Sequence, residues 1–585
     1  MWCKFRGGTN MPKDIQGIAA SDGVGIAPAY LLTTPDLSFK KRRVADPEQE
    51  YRRVKAAFTA SIADLQRIKQ NARKRLSDKE LDVFDAHIAI LSDPEMLGQI
   101  KGEIDALQVN AEEAVSKVTG NFANMLAAMK DNQYMQERAT DVRDIAKRTL
   151  SHLLGKKLPT LAAITHPVII VADELTPSDT SQMDPKLIKG IVTNCGGRTS
   201  HAAIMARTLR IPAVVGANDA TAYVKNNQRM VVDGLSGTVV VDPTDAQINA
   251  YRQKAAGFDE RTAEWARLVD APSISKDGQR FRITANIGTP DDVDDVIHQG
   301  AEGIGLFRSE FLYMNSDHLP TEEEQFEAYR RVIINMQGKR VVVRTLDIGG
   351  DKPLPFLPLP REMNPFLGYR AIRLCLDHPE IFKPQLRALI RASQYGPLSI
   401  MFPMIATVQE LRRAKQIFNE CKAELQATQP GLGDDIRLGI MVEIPLVAVN
   451  AANLAKEVDF FSIGTNDLIQ YSFAADRGSD AVSYLYQPLN PAFLALLKHV
   501  IDAAHEHKIT VAMCGEMAGD KWALPLLMGL GLDAYSMSSS TVLRTRSMMS
   551  TLDTRECRRV VNDAINNCST DRDVKMLVKN SLNIK

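Results

Sequence analysis

The segment Asp459-Phe-Phe-Ser-Ile-Gly-Thr-Asn-Asp467 contains the pattern that decides the fold of the larger part of the chain. Its residues Phe460–Ile463 have the length and the aromatic, β-branched character of a buried strand. A glycine and three polar residues, Gly464-Thr-Asn-Asp467, follow this strand at once. A strand that ends in polar residues indicates that its carboxyl end faces a site, because a packed core would call for apolar residues there.

Eight such apolar runs alternate with helical segments over about 300 residues, which is the size and strand count of a (β/α)₈ barrel. The predicted strands are Phe281–Ala285, Gly303–Leu306, Val341–Arg344, Leu398–Phe402, Leu438–Val442, Phe460–Ile463, Thr510–Met513 and Leu532–Ser536. A doubly wound sheet is the alternative with the same alternation. We favour the barrel, over residues 271–585, because polar residues follow nearly every strand.

The polar residues that follow these strands predict one shared site, since the active sites of such barrels lie at the carboxyl ends of the strands. The set comprises Arg308, Arg344, Glu443, Asn466, Asp467, Arg477 and Cys514. Arginines bind phosphate or carboxylate oxygens in pairs, and two carboxylates suit Mg²⁺ when substrate oxygens complete its ligands. Taken singly, each arginine is equally consistent with a structural ion pair, and a buried inert thiol is the better interpretation of Cys514. Positive charge at the site predicts a lowered pKa for the Cys514 thiol.

The first part of the chain combines strand segments with amphipathic helices. Apolar residues recur at helical spacing between residues 45 and 155, which predicts a bundle of four helices. Strand segments at 14–44 and 156–242 flank the bundle, so we expect one small α/β domain into which the bundle is inserted. The charged helical stretch 243–270 is interpreted as a linker. Residues 1–13 are interpreted as an N-terminal extension, with Met11 as an alternative start.

A glycine-rich turn opens a predicted helix in the sequence Gly196-Gly-Arg-Thr-Ser-His-Ala-Ala-Ile-Met-Ala-Arg207. Thr199 and Ser200 are good N-cap residues, so His201 is expected in the first helical turn, where an anion is favoured. A neutral imidazole there is a competent nucleophile toward phosphorus. A capping histidine, or a phosphate-binding loop without covalent chemistry, fits the local sequence as well. No G-x-x-x-x-G-K-[ST] motif occurs, so P-loop nucleotide binding lacks support.

The overall composition excludes several classes of protein. The chain has 71 Lys+Arg and 71 Asp+Glu residues among 585, which argues against bulk binding of nucleic acid or of a membrane surface. Its longest apolar runs have the length of strands, so no membrane insertion is expected. The chain has seven cysteines, an odd number, and no two of them form a C-x-x-C motif. Neither a disulfide framework nor a zinc site is therefore predicted, and a reducing cytoplasm fits best.

Four segments resemble the motifs of phosphoenolpyruvate-using enzymes. The segment Gly196–Arg207 resembles their phosphohistidine signature, and Gly303–Tyr313, Asp459–Leu468 and the stretch around Cys514 resemble their barrel motifs. The order of domains is similar to that of the enzyme I family of the bacterial sugar phosphotransferase system, the phosphoenolpyruvate–protein phosphotransferases. The resemblance implies a swivelling phosphohistidine α/β domain with an inserted helical bundle, followed by a (β/α)₈ barrel.

The resemblance also implies a role for each residue. His201 takes the phosphoryl group on its Nε2 atom, and Cys514 protonates the pyruvate enolate. Substrate oxygens are bound by Arg308, Arg344, Asn466, Asp467 and Arg477, and Mg²⁺ by Glu443 and Asp467. The helical insertion binds the carrier protein HPr, whose histidine receives the phosphoryl group, and the barrel forms a homodimer.

Some positions depart from the family pattern. Asn194 stands where Asp is common, Ala202 where Thr is frequent, and Ile469 where Thr is usual. None of these changes removes a proposed catalytic group. Two alternatives to the carrier-protein reaction stay open at this stage. One is an enzyme that transfers the phosphoryl group to a small molecule, and the other is a regulatory protein that keeps the fold without the chemistry.

Overall fold

A computed structural model of the chain divides into two compact units, Met1–Arg261 and Thr262–Lys585. The structure describes residues 14–33, 35–72, 78–127, 133–156, 164–175, 183–197, 200–314, 318–349, 362–477 and 479–582, with the single residues 159, 161, 179, 316, 354, 356, 357, 359 and 584. The predicted N-terminal extension 1–13 lies outside the described residues.

An eight-stranded sheet forms the α/β part of the first unit. Its strands in chain order are β1 (Asp14–Gln16), β2 (Ile18–Ser21), β3 (Val24–Leu32), β4 (Val168–Ala172), β5 (Ile188–Thr193), β6 (Ala213–Val215), β7 (Arg229–Asp233) and β8 (Thr238–Val241). They lie side by side in the order β1-β8-β7-β3-β4-β5-β6-β2. Because β3 precedes the helical bundle and β4 follows it, yet the two pair in parallel, the bundle is an insertion into this sheet, as predicted.

The stretch Met230–Val241 is a hairpin of two strands. Strands β7 and β8 pair antiparallel across a turn that ends at Gly237. Gly237 has a φ of 74°, which a residue with a side chain adopts only at a cost. The buried carboxylate of Asp233 accepts hydrogen bonds from the Ser236 hydroxyl at 2.6 Å and the Leu235 amide at 3.1 Å, and so holds the turn.

The described residues of the inserted bundle form five helices, where four were predicted. They are Pro47–Ala72, Asp78–Leu91, Pro94–Leu107, Ala111–Ala127 and Gln133–Leu153. The helix that the prediction missed begins at Pro94, and Asp93 caps it by accepting a hydrogen bond from the Glu95 amide. Proline is well suited to the first helical turn because its missing N–H has no partner there. This helix buries Met96, Ile100 and Ile104 against its neighbours.

The second unit is a closed barrel of eight parallel strands. In chain order they are β9 (Arg282–Ile287), β10 (Ile304–Arg308), β11 (Val341–Arg344), β12 (Leu398–Phe402), β13 (Arg437–Val442), β14 (Phe460–Ile463), β15 (Thr510–Met513) and β16 (Ala534–Met537). Strand β16 pairs with β9, which closes the barrel and confirms the predicted fold class. The prediction gave β11, β12, β14 and β15 to the residue and was off by one or two residues at the ends of the other four.

Helices surround both sheets. In the first unit these are His201–Thr208 and Ala220–Tyr223, and the helix Asp245–Ala266 begins there. In the second unit they are Val293–His298, Glu310–Met314, Glu322–Asn335, Ile372–Asp377, Pro379–Ala392, Val408–Gln426, Pro445–Val449, Ala451–Ala455, Thr465–Phe473, Pro491–Glu506, Ala523–Leu530, Val542–Thr551, Thr554–Asn567 and Asp571–Leu582. Within the described residues, every helix falls short of the length and apolarity needed to span a membrane.

Two leucine-sized side chains on one helix test the packing of the bundle. Ile100 is fully buried, whereas Leu107 is 49% exposed at the end of the same helix. We expect Ile100→Ala to lower the free energy of unfolding of the bundle by about 2–5 kcal/mol, because it leaves a cavity. Leu107→Ala, the control, should cost about 0.5 kcal/mol or less. Hydrogen exchange of the Pro94–Leu107 amides measures both, and equal losses would contradict this packing.

Candidate active site

Arg344 lies at the carboxyl end of β11, buried among carboxylates. Its Nη1 atom is 2.9 Å from Asp347 Oδ2, and its Nη2 atom donates to Glu310 Oε1. The Ser309 hydroxyl donates to the Arg344 carbonyl at 2.7 Å, which ties β10 to β11 at this point. The Nε atom of Arg344 is buried without a hydrogen-bond partner among the described residues. One donor of this guanidinium group is therefore left for a further acceptor.

A second buried arginine, Arg370, shares the carboxylate of Asp347. Its Nη2 atom donates to Asp347 Oδ1 at 2.8 Å, and its guanidinium group lies 5.9 Å from the ring centre of Phe366. Arg370 and Asp347 are each 1% exposed. The sequence gave no sign of Arg370, because it follows no strand and lies in an irregular segment well beyond the end of β11. Its Nη1 atom also has no hydrogen-bond partner among the described residues.

The residue after Arg370 has a strained backbone. Ala371 has φ 54° and ψ −126°, a region that residues with a side chain rarely occupy. Its amide donates to the Ile348 carbonyl at 2.9 Å, and its side chain is fully buried. Strain of this kind costs about 1–3 kcal/mol and persists only where the surroundings impose it. Here the conformation keeps Arg370 beside Asp347.

Glu443 follows β13 and is held by a backbone amide. The Met404 amide donates to its Oε1 atom at 2.6 Å. Burial, together with the negative charges of Asp467 and Asp347, raises the pKa of Glu443 from an ordinary value of 4.5 to about 8, although Arg344 opposes the shift. Buried carboxylates that repel one another in this way favour a cation between them.

Asp467 and Asn466 lie in the first turn of the helix Thr465–Phe473, directly after β14. Asp467 Oδ1 is buried without a hydrogen-bond partner among the described residues, and Arg477 Nη1 is 3.7 Å from it. Asn466 Oδ1 accepts from the Glu516 amide at 3.2 Å and from the Tyr486 hydroxyl at 3.3 Å. These bonds orient the Asn466 amide so that its NH₂ group remains available as a donor.

Cys514 follows β15 and belongs to a small apolar cluster inside the barrel. Burial raises the pKa of its thiol, although the nearby Arg344 and Arg308 act in the opposite direction. The predicted lowering of this pKa is therefore wrong, because removing the thiolate from water outweighs the attraction of the arginines. A thiol with a raised pKa stays neutral at physiological pH and is suited to donate a proton.

The structure thus brings seven predicted residues to one end of the barrel. Arg308 ends β10 and Arg344 ends β11, and both act on Cys514, while Glu443 and Asp467 act on each other. Arg477 joins the group through Asp467. We call this end the mouth. Among the described residues, the groups named above comprise four arginines, Arg308, Arg344, Arg370 and Arg477, and four carboxylates, Glu310, Asp347, Glu443 and Asp467.

The mouth fits a divalent cation that completes its ligands from a substrate. The described residues contain no group of three or more His, Cys, Asp or Glu side chains that would hold a metal by itself. Glu443 and Asp467 supply two carboxylates, and Mg²⁺ is normally bound by one or two carboxylates and by substrate phosphate oxygens. The Oδ1 atom of Asp467, which accepts no hydrogen bond from the described residues, is an oxygen ligand of the kind that Mg²⁺ prefers.

His201 lies in the other unit, as the first residue of the helix His201–Thr208. Ser200 is the N-cap residue, and its hydroxyl accepts from the Ala203 amide at 3.4 Å. Gly196 has a φ of 101°, which explains why a glycine occupies this position of the turn. The predicted placement of His201 at a helix start is confirmed.

The neighbourhood of this turn accounts for two of the unusual residues. The Asn194 amide donates to Asp173 Oδ1 at 3.0 Å and to the Thr221 hydroxyl at 2.6 Å. An aspartate at 194 would repel Asp173, so asparagine suits this neighbour. Ala202 is buried in the apolar core, where a threonine hydroxyl would need a partner of its own.

Comparison with known proteins agrees with this arrangement. Residues 16–138 match the family model described as PEP-utilising enzyme, N-terminal; residues 164–237 match that for the mobile domain; and residues 262–554 match that for the PEP-binding domain. The chain belongs to the family of phosphoenolpyruvate-utilising enzymes.

The similar curated proteins carry a more particular name. A phosphoenolpyruvate-protein phosphotransferase of Latilactobacillus sakei is 55% identical over 564 residues, which is 96% of this chain and 98% of that protein. The phosphoenolpyruvate-protein phosphotransferase of Bacillus subtilis (strain 168) is 52% identical over 567 residues, 97% of this chain and 99% of that protein. A solution structure of an Enzyme I protein aligns with 42% of this chain and 99% of its own, at 35% identity and a TM-score of 0.39.

Removing the shared carboxylate tests the buried ion network. We expect Asp347→Asn to lower the free energy of unfolding of the barrel unit by about 3–5 kcal/mol, because two buried guanidinium groups lose their common counter-ion. Asp291→Asn, whose exposed carboxylate pairs with Arg331, should cost less than about 1 kcal/mol. Urea unfolding followed by circular dichroism compares the two variants. Similar losses would show that the network does not stabilise the mouth.

The raised pKa of Glu443 predicts how stability depends on pH without Mg²⁺. Burial favours the protonated carboxyl, so the contribution of Glu443 to stability is complete below 4.5 and is lost as the pH rises to about 8. Relative to Glu443→Gln, the wild-type chain should lose about 1.4 kcal/mol of unfolding free energy per pH unit across that window. Glu420→Gln, whose exposed carboxylate has a lowered pKa, is the control and should show no such trend above pH 6. If the unfolding free energies of wild type and Glu443→Gln depend on pH in the same way, the raised pKa of Glu443 is contradicted.

Proposed function

We propose that this chain transfers the phosphoryl group of phosphoenolpyruvate to His201 and from there to a histidine of the carrier protein HPr, with release of pyruvate. The observation that carries the proposal is the mouth, where buried arginines and two carboxylates meet in a domain that matches the PEP-binding family model. The curated relatives named phosphoenolpyruvate-protein phosphotransferase support the choice of a protein as acceptor.

The balance of charge in the mouth supports a requirement for Mg²⁺. When Glu443 is ionised, the four arginines face four carboxylates, so a substrate with about three negative charges needs further positive charge. Glu443 and Asp467 would hold the cation. When bound, it would neutralise charge on the transferring group and on the enolate oxygen.

The arginines would bind and orient the substrate. The open Nε atom of Arg344 and the open Nη1 atom of Arg370 are donors that a phosphate or carboxylate oxygen can accept. Arg308 and Arg477 add charge from neighbouring strand ends, and the Asn466 amide adds a neutral donor. Because Asp347 holds both buried guanidinium groups, their positions are fixed before substrate arrives, which reduces the cost of reorganisation in the transition state.

The transfer itself balances as follows. The bond between phosphorus and the enol oxygen breaks as a bond forms between phosphorus and His201 Nε2. The imidazole, which carries its proton on Nδ1 and is now positively charged, then releases that proton to solvent. The enolate of pyruvate takes a proton at carbon from the Cys514 thiol, and the thiolate recovers one from water. The raised pKa of Cys514 supports this role, since the thiol carries its proton when the enolate forms.

Three further expectations stay predictions. Binding of HPr to the helical insertion 47–153 rests on the resemblance, as does homodimer formation through the barrel. Exposed apolar side chains on the barrel unit, Leu446, Val449 and Tyr484, offer surface that such pairing would cover. A cytoplasmic location rests on the cysteine content.

Labelling with phosphoenolpyruvate tests the proposal. We expect the full chain with Mg²⁺ and ³²P-labelled phosphoenolpyruvate to acquire acid-labile, base-stable label, and purified HPr to remove it. His201→Ala should acquire none, while His298→Ala, a control on an exposed histidine, should label like wild type. Equal label on His201→Ala would overturn the proposal. Labelled wild-type protein that passes phosphate to a metabolite but not to HPr would favour a small-molecule acceptor.

A further inference from the structure

The end of the barrel opposite the mouth carries three arginines at the starts of alternate strands. Arg282 is the first residue of β9, Arg340 directly precedes β11, and Arg437 is the first residue of β13. Thr510 begins β15, the remaining strand of this alternate set. In such barrels, side chains from alternate strands fill the interior in layers of four.

Strand register places these residues in one inward-facing layer. Every second residue of a strand faces the same side, so a residue four positions ahead of an inward residue is itself inward. Met441 and Cys514 belong to the apolar cluster inside the barrel. Arg437 stands four residues before Met441, and Thr510 stands four residues before Cys514. Val342 borders the same cluster and stands two residues after Arg340.

The same rule places Arg282 in this layer. Asn286, four residues further along β9, donates to the Cys514 carbonyl at 3.0 Å and therefore faces the interior. We call Arg282, Arg340 and Arg437 the arginine floor. Arg282 and Arg437 are exposed, whereas Arg340 is half-buried and donates to the Ser399 hydroxyl at 3.0 Å.

The charges of the arginine floor are not matched by ion pairs. Within the part of the chain that the structure describes, no carboxylate lies within 4.0 Å of any of the three guanidinium groups. Burial lowers the pKa of Arg340, and the positive charges of Arg437 and Arg282 lower it further, so both of these arginines repel Arg340. This contrasts with the mouth, where Arg344 and Arg370 are paired with carboxylates.

Carboxylates at the same end of the barrel have other partners. Asp459, before β14, accepts from the Leu438 amide at 2.7 Å. Asp533, before β16, accepts from the Val511 amide at 2.8 Å and lies 3.1 Å from His505 Nε2. Glu302, before β10, accepts from the Ser273 hydroxyl at 2.5 Å. These residues cap strand starts and leave the arginine floor unneutralised.

We propose that the arginine floor is a binding site for a compact phosphorylated anion, separate from the mouth. Guanidinium groups match phosphate oxygens in pairs, and three of them stand in one layer at the starts of alternate strands, two of them exposed to solvent. The Ser399 hydroxyl contacts the half-buried member and keeps it in place. Three like charges in one layer lower stability unless an anion joins them, and a cost of this kind is typical of binding sites.

Calorimetric titration of the full chain with inorganic pyrophosphate tests the site. The variant is Arg282→Gln/Arg437→Gln, which removes two charges of the floor and leaves the mouth intact. We expect the dissociation constant of this variant for pyrophosphate to be at least about a hundredfold higher than that of wild type, roughly tenfold for each arginine removed. The matched control is Arg413→Gln/Arg572→Gln, which removes two exposed arginines of the barrel unit and should bind as wild type does.

Two readouts keep the outcome unambiguous. The melting temperature of the ligand-free floor variant should equal or exceed that of wild type, because repulsion is relieved. If the melting temperature of the double variant falls below that of wild type, the single variant Arg437→Lys is used in its place. This variant keeps the charge but loses the paired donors, so it should bind pyrophosphate with intermediate affinity. If the floor variant binds pyrophosphate as tightly as the wild-type chain does, pyrophosphate binds at the mouth and the proposal is overturned. The proposal is also overturned if the wild-type chain binds no pyrophosphate. Labelling of His201 is not involved, so this test and that of the proposed function fail independently.

Discussion

The carboxylate of Asp347 is the group on which the mouth depends. Its two oxygens each hold one buried guanidinium group, that of Arg344 on one side and that of Arg370 on the other. Two buried cations next to each other are tolerated only because this anion, with Glu310, compensates them. The strained backbone of Ala371 follows from the same requirement, since it keeps Arg370 within reach. Fixed donors with open hydrogen-bonding positions are what a phosphoryl-transfer site needs before its substrate arrives.

Closure of the barrel gives its two ends different electrostatic characters. Parallel strands bring all carboxyl ends to one rim and all amino ends to the other, so sequence positions a few residues apart on each strand act in different sites. At the mouth, Arg344 and Arg370 are paired with buried carboxylates, and under the proposed function a metal and its substrate would complete the balance of charge. At the arginine floor the positive charges are left over, because the nearby carboxylates are committed to strand amides and hydroxyls.

In the first unit, backbone geometry places His201 at the start of a helix. The positive φ of Gly196 and the Ser200 cap place His201 at a helix start, where free amides favour an anion. The Asn194 side chain connects this turn to Asp173 and Thr221 and so links it to the rest of the sheet. The amino-terminal end of a helix favours a negatively charged group close to it.

The sequence by itself determined the barrel, most strand limits, the insertion of the bundle and the seven predicted residues of the mouth. Those features follow from short-range patterns: apolar runs of strand length, polar residues at their ends, and glycines before a helix cap. It missed the β7–β8 turn and the helix that Pro94 begins, because a glycine or a proline fits both a continued element and a break. Only the tertiary structure placed Arg370 beside Asp347 and showed that burial raises the pKa of Cys514. It alone aligned Arg282, Arg340 and Arg437, since barrel register brings together residues far apart in the chain and burial sets the strength of each charge.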